Sequence, residues 1–159
     1  MDLWRISNHL TLNGEGGRRA PARWHSGGEP IVYLAASPPG SLLEILVHLQ
    51  VDGAITPPTY TLLHITAPNG LHIPLLKLPK GEAWKTDESV TRKLGDAWLT
   101  SRRSALARVP SVILPETFNF LFNPLHPEAS RVKIKRVHRA FLDSRLLQTP
   151  PLKPPPPVQ

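Results

Sequence analysis

The chain has 159 residues, no cysteine, and 19 Lys+Arg against 12 Asp+Glu, a formal charge of +7. That length suits one domain able to bury roughly 70% of its unfolded surface. The lack of thiols excludes a disulfide framework, a zinc ribbon and a thiol nucleophile, and fits a reducing compartment. Apolar runs such as Ile31–Ala36 fall far short of the ~20 residues of a membrane span. Asp2, Arg5 and Asn8 break up any secretory signal. The expectation is a soluble, cytoplasmic domain whose positive field concentrates anions: nucleic acid, nucleotides or an acidic protein.

Along the chain, Asn13–Arg23 (NGEGGRRAPAR) has no hydrophobic period and reads as a loop. Pro30 opens a strand over Ile31–Ala35, and Ser37-Pro38-Pro39-Gly40 reads as a break. Ser41 then opens a leucine-rich helix ending near Asp52-Gly53. Its apolar residues wrap the whole axis, which predicts a central, buried helix. Thr59–Thr66 alternates as a strand. Thr86 is the expected cap of a helix from Asp87 towards Trp98, with Gly95 weakening its middle. Ser111–Leu114 and Asn119–Phe122 read as short strands, and Arg131–Arg139 as a strand with one wet, basic face.

Six of the 19 prolines fall in the last ten residues. The tail from Thr149 therefore reads as a disordered polyproline extension, residues 149–159, after a domain over 1–148. The predicted class is α+β: one compact domain with small mixed β-sheets around a central buried helix.

Few residues stand out as chemistry. Arg23, beside glycines, is either an anion clamp or a surface arginine stacked on Trp24. Glu44 lies in a helix otherwise built of Leu, Ile and Val, where a carboxylate is costly unless paired or facing a cavity. The competing reading is a capping box, Ser41-x-x-Glu44, in which Glu44 bonds back to its own helix start. His48, one turn later, and Tyr33, mid-strand, read more readily as structural. Ser111 lacks the placed histidine and acid of a hydrolase nucleophile. The seven histidines show no metal-ligand spacing. The basic run Arg131–Arg139 has no interleaved aromatics to stack bases, which argues against nucleic-acid binding by this chain.

Two long blocks carry a resemblance. ARWHSGGEPIVYLAASPPGSLLEILVHL (Ala22–Leu49) is similar to the first signature of the RES-domain family. GDAWLTSRRSALARVPSVILPETFNFLFNPLHPEA (Gly95–Ala129) is similar to its second, and FLDSRL (Phe141–Leu146) to its end. The family usually has Gly before its Arg-Trp pair and Asn after it, where this chain has Ala22 and His25.

The resemblance implies a toxin paired with an Xre-type antitoxin, with a fold similar to ADP-ribosyltransferase toxins and a cleft for NAD. It implies NAD breakdown, by phosphate or water, with ADP-ribose transfer to a protein as the alternative and inorganic phosphate as a candidate co-substrate. No metal is implied. It also implies a homodimer within a larger antitoxin complex. By motif position the functional residues fall on Arg23, Tyr33, Glu44 and Ser111, with Trp24, Asn119 and Asn123 as further NAD contacts. In that reading Arg23 pins the diphosphate, Tyr33 packs on the nicotinamide or ribose, and Ser111 bonds Glu44 or a ribose hydroxyl. Glu44 stabilises the cationic sugar left as nicotinamide departs.

Overall fold

The computed structural model describes residues 1–52 and 58–147. Its strands are β1 (Asp2–Ile6), β2 (Val32–Ala35), β3 (Thr59–Thr66), β4 (Leu106–Pro110), β5 (Phe118–Phe122) and β6 (Lys133–Phe141). The helices are α1 (Glu15–Arg19), α2 (Pro38–Asp52) and α3 (Glu88–Ser101). The strands pair antiparallel in one sheet of order β4-β5-β2-β1-β3-β6. The α+β class stands. A single antiparallel sheet takes the place of the small mixed sheets expected. The proline tail lies outside the described residues.

Alternation along the strands builds two cores. Leu3, Val32, Leu34, Leu63, Ile65, Leu106, Phe120 and Phe122 form one face, covered by Leu12, Leu71, Ile73 and Ala129. The opposite face presents Ala107, Val109 and Leu121, and packs with Trp24, Ile31 and with Trp98 and Leu99 of α3. Tyr33 pairs with Leu121 and Ala35 with Asn119, so Tyr33 and Asn119 share this second face as diagonal neighbours, ~7–8 Å apart.

Three local expectations are corrected. The helix α2 starts at Pro38, not after Ser41. Ser37 caps it, accepting from the Gly40 N–H at 3.2 Å, and proline suits the first helical turn. The helix is only partly buried: Leu42, Leu43, Ile45, Leu46 and Val47 are half-buried. Leu42, Ile45 and Leu46 line an apolar groove of about 250 Å³ with Ile6, Tyr60 and Leu142. At 100° per residue Glu44 points about 150° away from that stripe.

Segment Ser111–Leu114 is a turn following β4, because the Ser111 hydroxyl accepts from the Ile113 and Leu114 N–H groups, at 3.1 and 3.3 Å. A side chain that bonds the backbone two and three residues on bends the chain out of the ladder. Asp87, not Thr86, caps α3, accepting from the Ser89 N–H at 2.9 Å. Glu15–Arg19, read as loop, is one short helix.

Gly95 is a packing requirement rather than a weak point. A β-carbon there would sit 1.7 Å from the Trp24 carbonyl oxygen. Only glycine lets α3 approach the Arg23–Trp24 backbone this closely. In an ordinary helix interior Gly→Ala gains about 1 kcal/mol. Here Gly95→Ala is expected to lose about 3 kcal/mol or more, as overpacking against backbone does. Denaturant unfolding of the two proteins checks the sign.

Candidate functional site

Glu44 leaves its own helix start. Ser41, the other half of the anticipated capping box, instead donates its hydroxyl to the Pro38 carbonyl at 2.8 Å. The Glu44 carboxylate crosses to the sheet. Its Oε1 accepts from the Asn119 amide at 2.6 Å and lies 3.4 Å from the Ser111 hydroxyl. Both bonds use one oxygen, so Oε2 has no hydrogen-bond partner among the described residues. All three side chains are half-buried. Asn119 comes from β5 and Ser111 from the turn after β4, so three elements converge on one carboxylate.

Arg23 sits on a second wall. Ala22 and His25 pair as a small antiparallel bridge, which leaves Arg23 and Trp24 at the tip. Helix α3 holds this tip by its backbone. The Thr91 hydroxyl donates to the Arg23 carbonyl at 2.5 Å, and Arg92 Nε to the Ala22 carbonyl at 3.0 Å. Asp96 takes both the N–H and the hydroxyl of Ser26, at 2.9 and 2.6 Å.

The Arg23 guanidinium is engaged as well. It donates to the Trp84 and Lys85 carbonyls at 3.3 and 3.1 Å, and lies 3.4 Å from the Glu88 carboxylate. Glu88 also pairs with Arg92. Arg23 therefore ties the 3₁₀ turn Ala83–Lys85 to α3. No hydrogen bond or ion pair joins it to Glu44.

Tyr33 joins the two walls. Its hydroxyl accepts from the Trp24 N–H at 3.1 Å and lies 2.9 Å from His25 Nδ1. The other nitrogen of His25, Nε2, lies 2.9 Å from the Gly17 carbonyl. Burial pushes the Tyr33 phenol well above its ordinary range, only partly offset by the Trp24 N–H. It thus stays protonated and donates throughout the physiological range.

Two of the anticipated NAD contacts, Trp24 and Asn123, are buried. Trp24 is 3% exposed and packs with Ile31, Trp98 and Leu121, because the tip folds its indole under α3. Asn123 is 2% exposed; its amide donates to the Leu99 carbonyl and its oxygen accepts from the Leu125 N–H. It ends α3 against β5 and is spent on structure. His48 is exposed on α2. The basic run lies on the edge strand β6, whose cations Lys133, Lys135, Arg136 and Arg139 are exposed.

Sequence reasoning missed the roles of Glu88, Thr91, Arg92 and Asp96, which fix the loop. The signal was there in Thr91, Gly95 and Trp98, a buried stripe at helical spacing with glycine at its centre.

Comparison with known proteins places the chain in a family. The RES domain model matches residues 2–144. A Pseudomonas putida protein named Toxin Res is 44% identical over 149 residues, covering 92% of this chain and 99% of its own. A Sphingobium protein named Prs ADP-ribosylating toxin is 33% identical, covering 92% and 96%. The fold is similar to the M. tuberculosis MbcT–MbcA toxin–antitoxin complex, with a TM-score of 0.72 at 19% identity over 88% of this chain and 84% of that one.

The grip of α3 on the loop has a measurable strength. Thr91 is fully buried. Thr91→Val keeps its shape but leaves the Arg23 carbonyl without that donor, at a cost of about 1–3 kcal/mol. Thermal or urea unfolding reads the loss; an unchanged midpoint would show that the clamp does not hold.

Proposed function

The chain belongs to the RES domain family, and on that premise we propose that it is the toxin of a toxin–antitoxin pair and acts by breaking the nicotinamide–ribose bond of NAD. The observation that carries the reading is the Glu44 carboxylate, held on Oε1 by Asn119 and Ser111 with Oε2 left over.

In this reaction the bond from ribose C1′ to the pyridinium nitrogen breaks, and its electron pair neutralises the nicotinamide ring. The ribose is left oxocarbenium-like. Water or phosphate then adds at C1′; water gives up its proton, and phosphate gives ADP-ribose 1-phosphate. A negative charge already in place stabilises the cation without reorganising at the moment of reaction. Asn119 and Ser111 orient that carboxylate. Tyr33, a diagonal neighbour of Asn119, offers its ring to the nicotinamide or ribose.

Arg23 is the cation for the diphosphate. The guanidinium has five N–H donors in a fixed fork. A diphosphate takes over the place of the Glu88 carboxylate while the carbonyls of Trp84 and Lys85 keep the fork in position. Arg23→Ala is expected to lower kcat/KM for NAD about ten- to hundredfold, the loss of charge-assisted hydrogen bonds of about 1.5–3 kcal/mol.

A second reading, transfer of ADP-ribose to a protein, is favoured by the name of the Sphingobium relative. The proposed partner is an Xre-type antitoxin that covers the cleft and presents an acidic segment to the positive surface, with the toxin as a homodimer inside the complex. Purified protein incubated with NAD, with and without inorganic phosphate, tests the main reading. Free nicotinamide is expected, and its dependence on phosphate separates phosphorolysis from hydrolysis. No nicotinamide under either condition contradicts cleavage. Labelled NAD in a lysate yields a discrete labelled protein band only if transfer is the activity.

A further inference from the structure

We propose that His25 is a positioning residue for NAD cleavage, acting through the hydroxyl of Tyr33; this rests on the NAD-cleavage reading proposed above. His25 is 1% exposed. Its effect on the reaction runs through a chain of three hydrogen bonds.

The direction of that chain follows from its ends. The Gly17 carbonyl can only accept, so His25 Nε2 carries the proton. With its one N–H on Nε2, the ring leaves Nδ1 bare to accept from the Tyr33 hydroxyl. The hydroxyl oxygen in turn accepts from the Trp24 N–H. Each member has one defined role, and the Tyr33 hydroxyl is satisfied as donor and as acceptor. The phenol is pinned at its far end, and its ring, on the same sheet face as Asn119, cannot swing. The two rings meet at a tilt of 51° with centroids 5.8 Å apart, so they do not stack.

Two amide substitutions separate this role from simple core filling. The Oδ1 of asparagine lies two bonds beyond Cβ, as Nδ1 does in histidine. The Nε2 of glutamine lies three bonds beyond Cβ, as histidine Nε2 does. His25→Asn therefore keeps the acceptor for Tyr33 and gives up Gly17. His25→Gln keeps the donor to Gly17 and gives up Tyr33.

The measurement is kcat and KM for nicotinamide release from NAD, with unfolding midpoints recorded alongside. His25→Asn is expected to hold kcat within about threefold of wild type, even if it is less stable. His25→Gln is expected to lose kcat by up to about 10²-fold with little change in KM, as a misplaced reacting geometry does. Tyr33→Phe, which removes the same bond together with the acceptor for the Trp24 N–H, is expected to lose at least as much kcat as His25→Gln, and adding His25→Gln to it to cost nothing more.

Equal losses in the Asn and Gln variants, or a loss confined to His25→Asn, overturn the assignment. Should His25→Gln not fold, Tyr33→Phe decides: wild-type kcat there overturns it as well. Failure of the wild-type protein to release nicotinamide is a different result. It removes the cleavage reading itself, so the two failures are told apart.

Discussion

A single carboxylate organises this molecule. Glu44 sits in the second turn of a helix whose start is already capped by Ser37, so nothing local claims it. It is held instead by Asn119 and Ser111, from β5 and the turn after β4. A half-buried charge is tolerated because two donors meet it. Those donors exist only when the β4–β5 hairpin is formed and docked beside β2. The fold is thus a condition for the charge to sit where it does, and the charge gives that part of the sheet its chemical meaning.

The opposite wall is built on a different principle. There the backbone, not the side chain, is fixed. Thr91, Arg92 and Asp96 grip Ala22, Arg23 and Ser26, and Gly95 removes the atom that would keep α3 away. Arg23 is then aimed by two carbonyls and balanced by Glu88. Between the walls, Tyr33 is held at its hydroxyl. On the proposed reading both sides are preorganised before substrate arrives, the condition under which fixed charges and dipoles accelerate a reaction most.

Much of this could be read from residues, and the failures have physical causes. Strands β2, β3 and β5 were visible because apolar alternation and flanking prolines or glycines mark them. Strand β1 was not, since five residues carrying Asp2 and Arg5 show too little period. Helix α2 reads as buried because its sequence is apolar all round, yet its Leu42–Ile45–Leu46 side is only half-buried, on a groove. Composition cannot tell a helix inside a core from one with an uncovered flank. For Glu44 the two competing readings could not be separated by spacing alone. The Ser41-x-x-Glu44 pattern is real, but it starts one turn too late to cap anything. Trp24 and Asn123 show the reverse limit. Belonging to a functional motif does not say whether a side chain faces the cleft or the core behind it, and both face the core.

The most direct test of the central claim is nicotinamide release by Glu44→Gln. The amide keeps the shape and the oxygen that Asn119 and Ser111 need, and removes only the charge. Folding should be retained, and turnover should fall by about 10²–10³-fold, the usual cost of losing one preorganised electrostatic partner. A folded Glu44→Gln protein that releases nicotinamide at the wild-type rate would contradict the account.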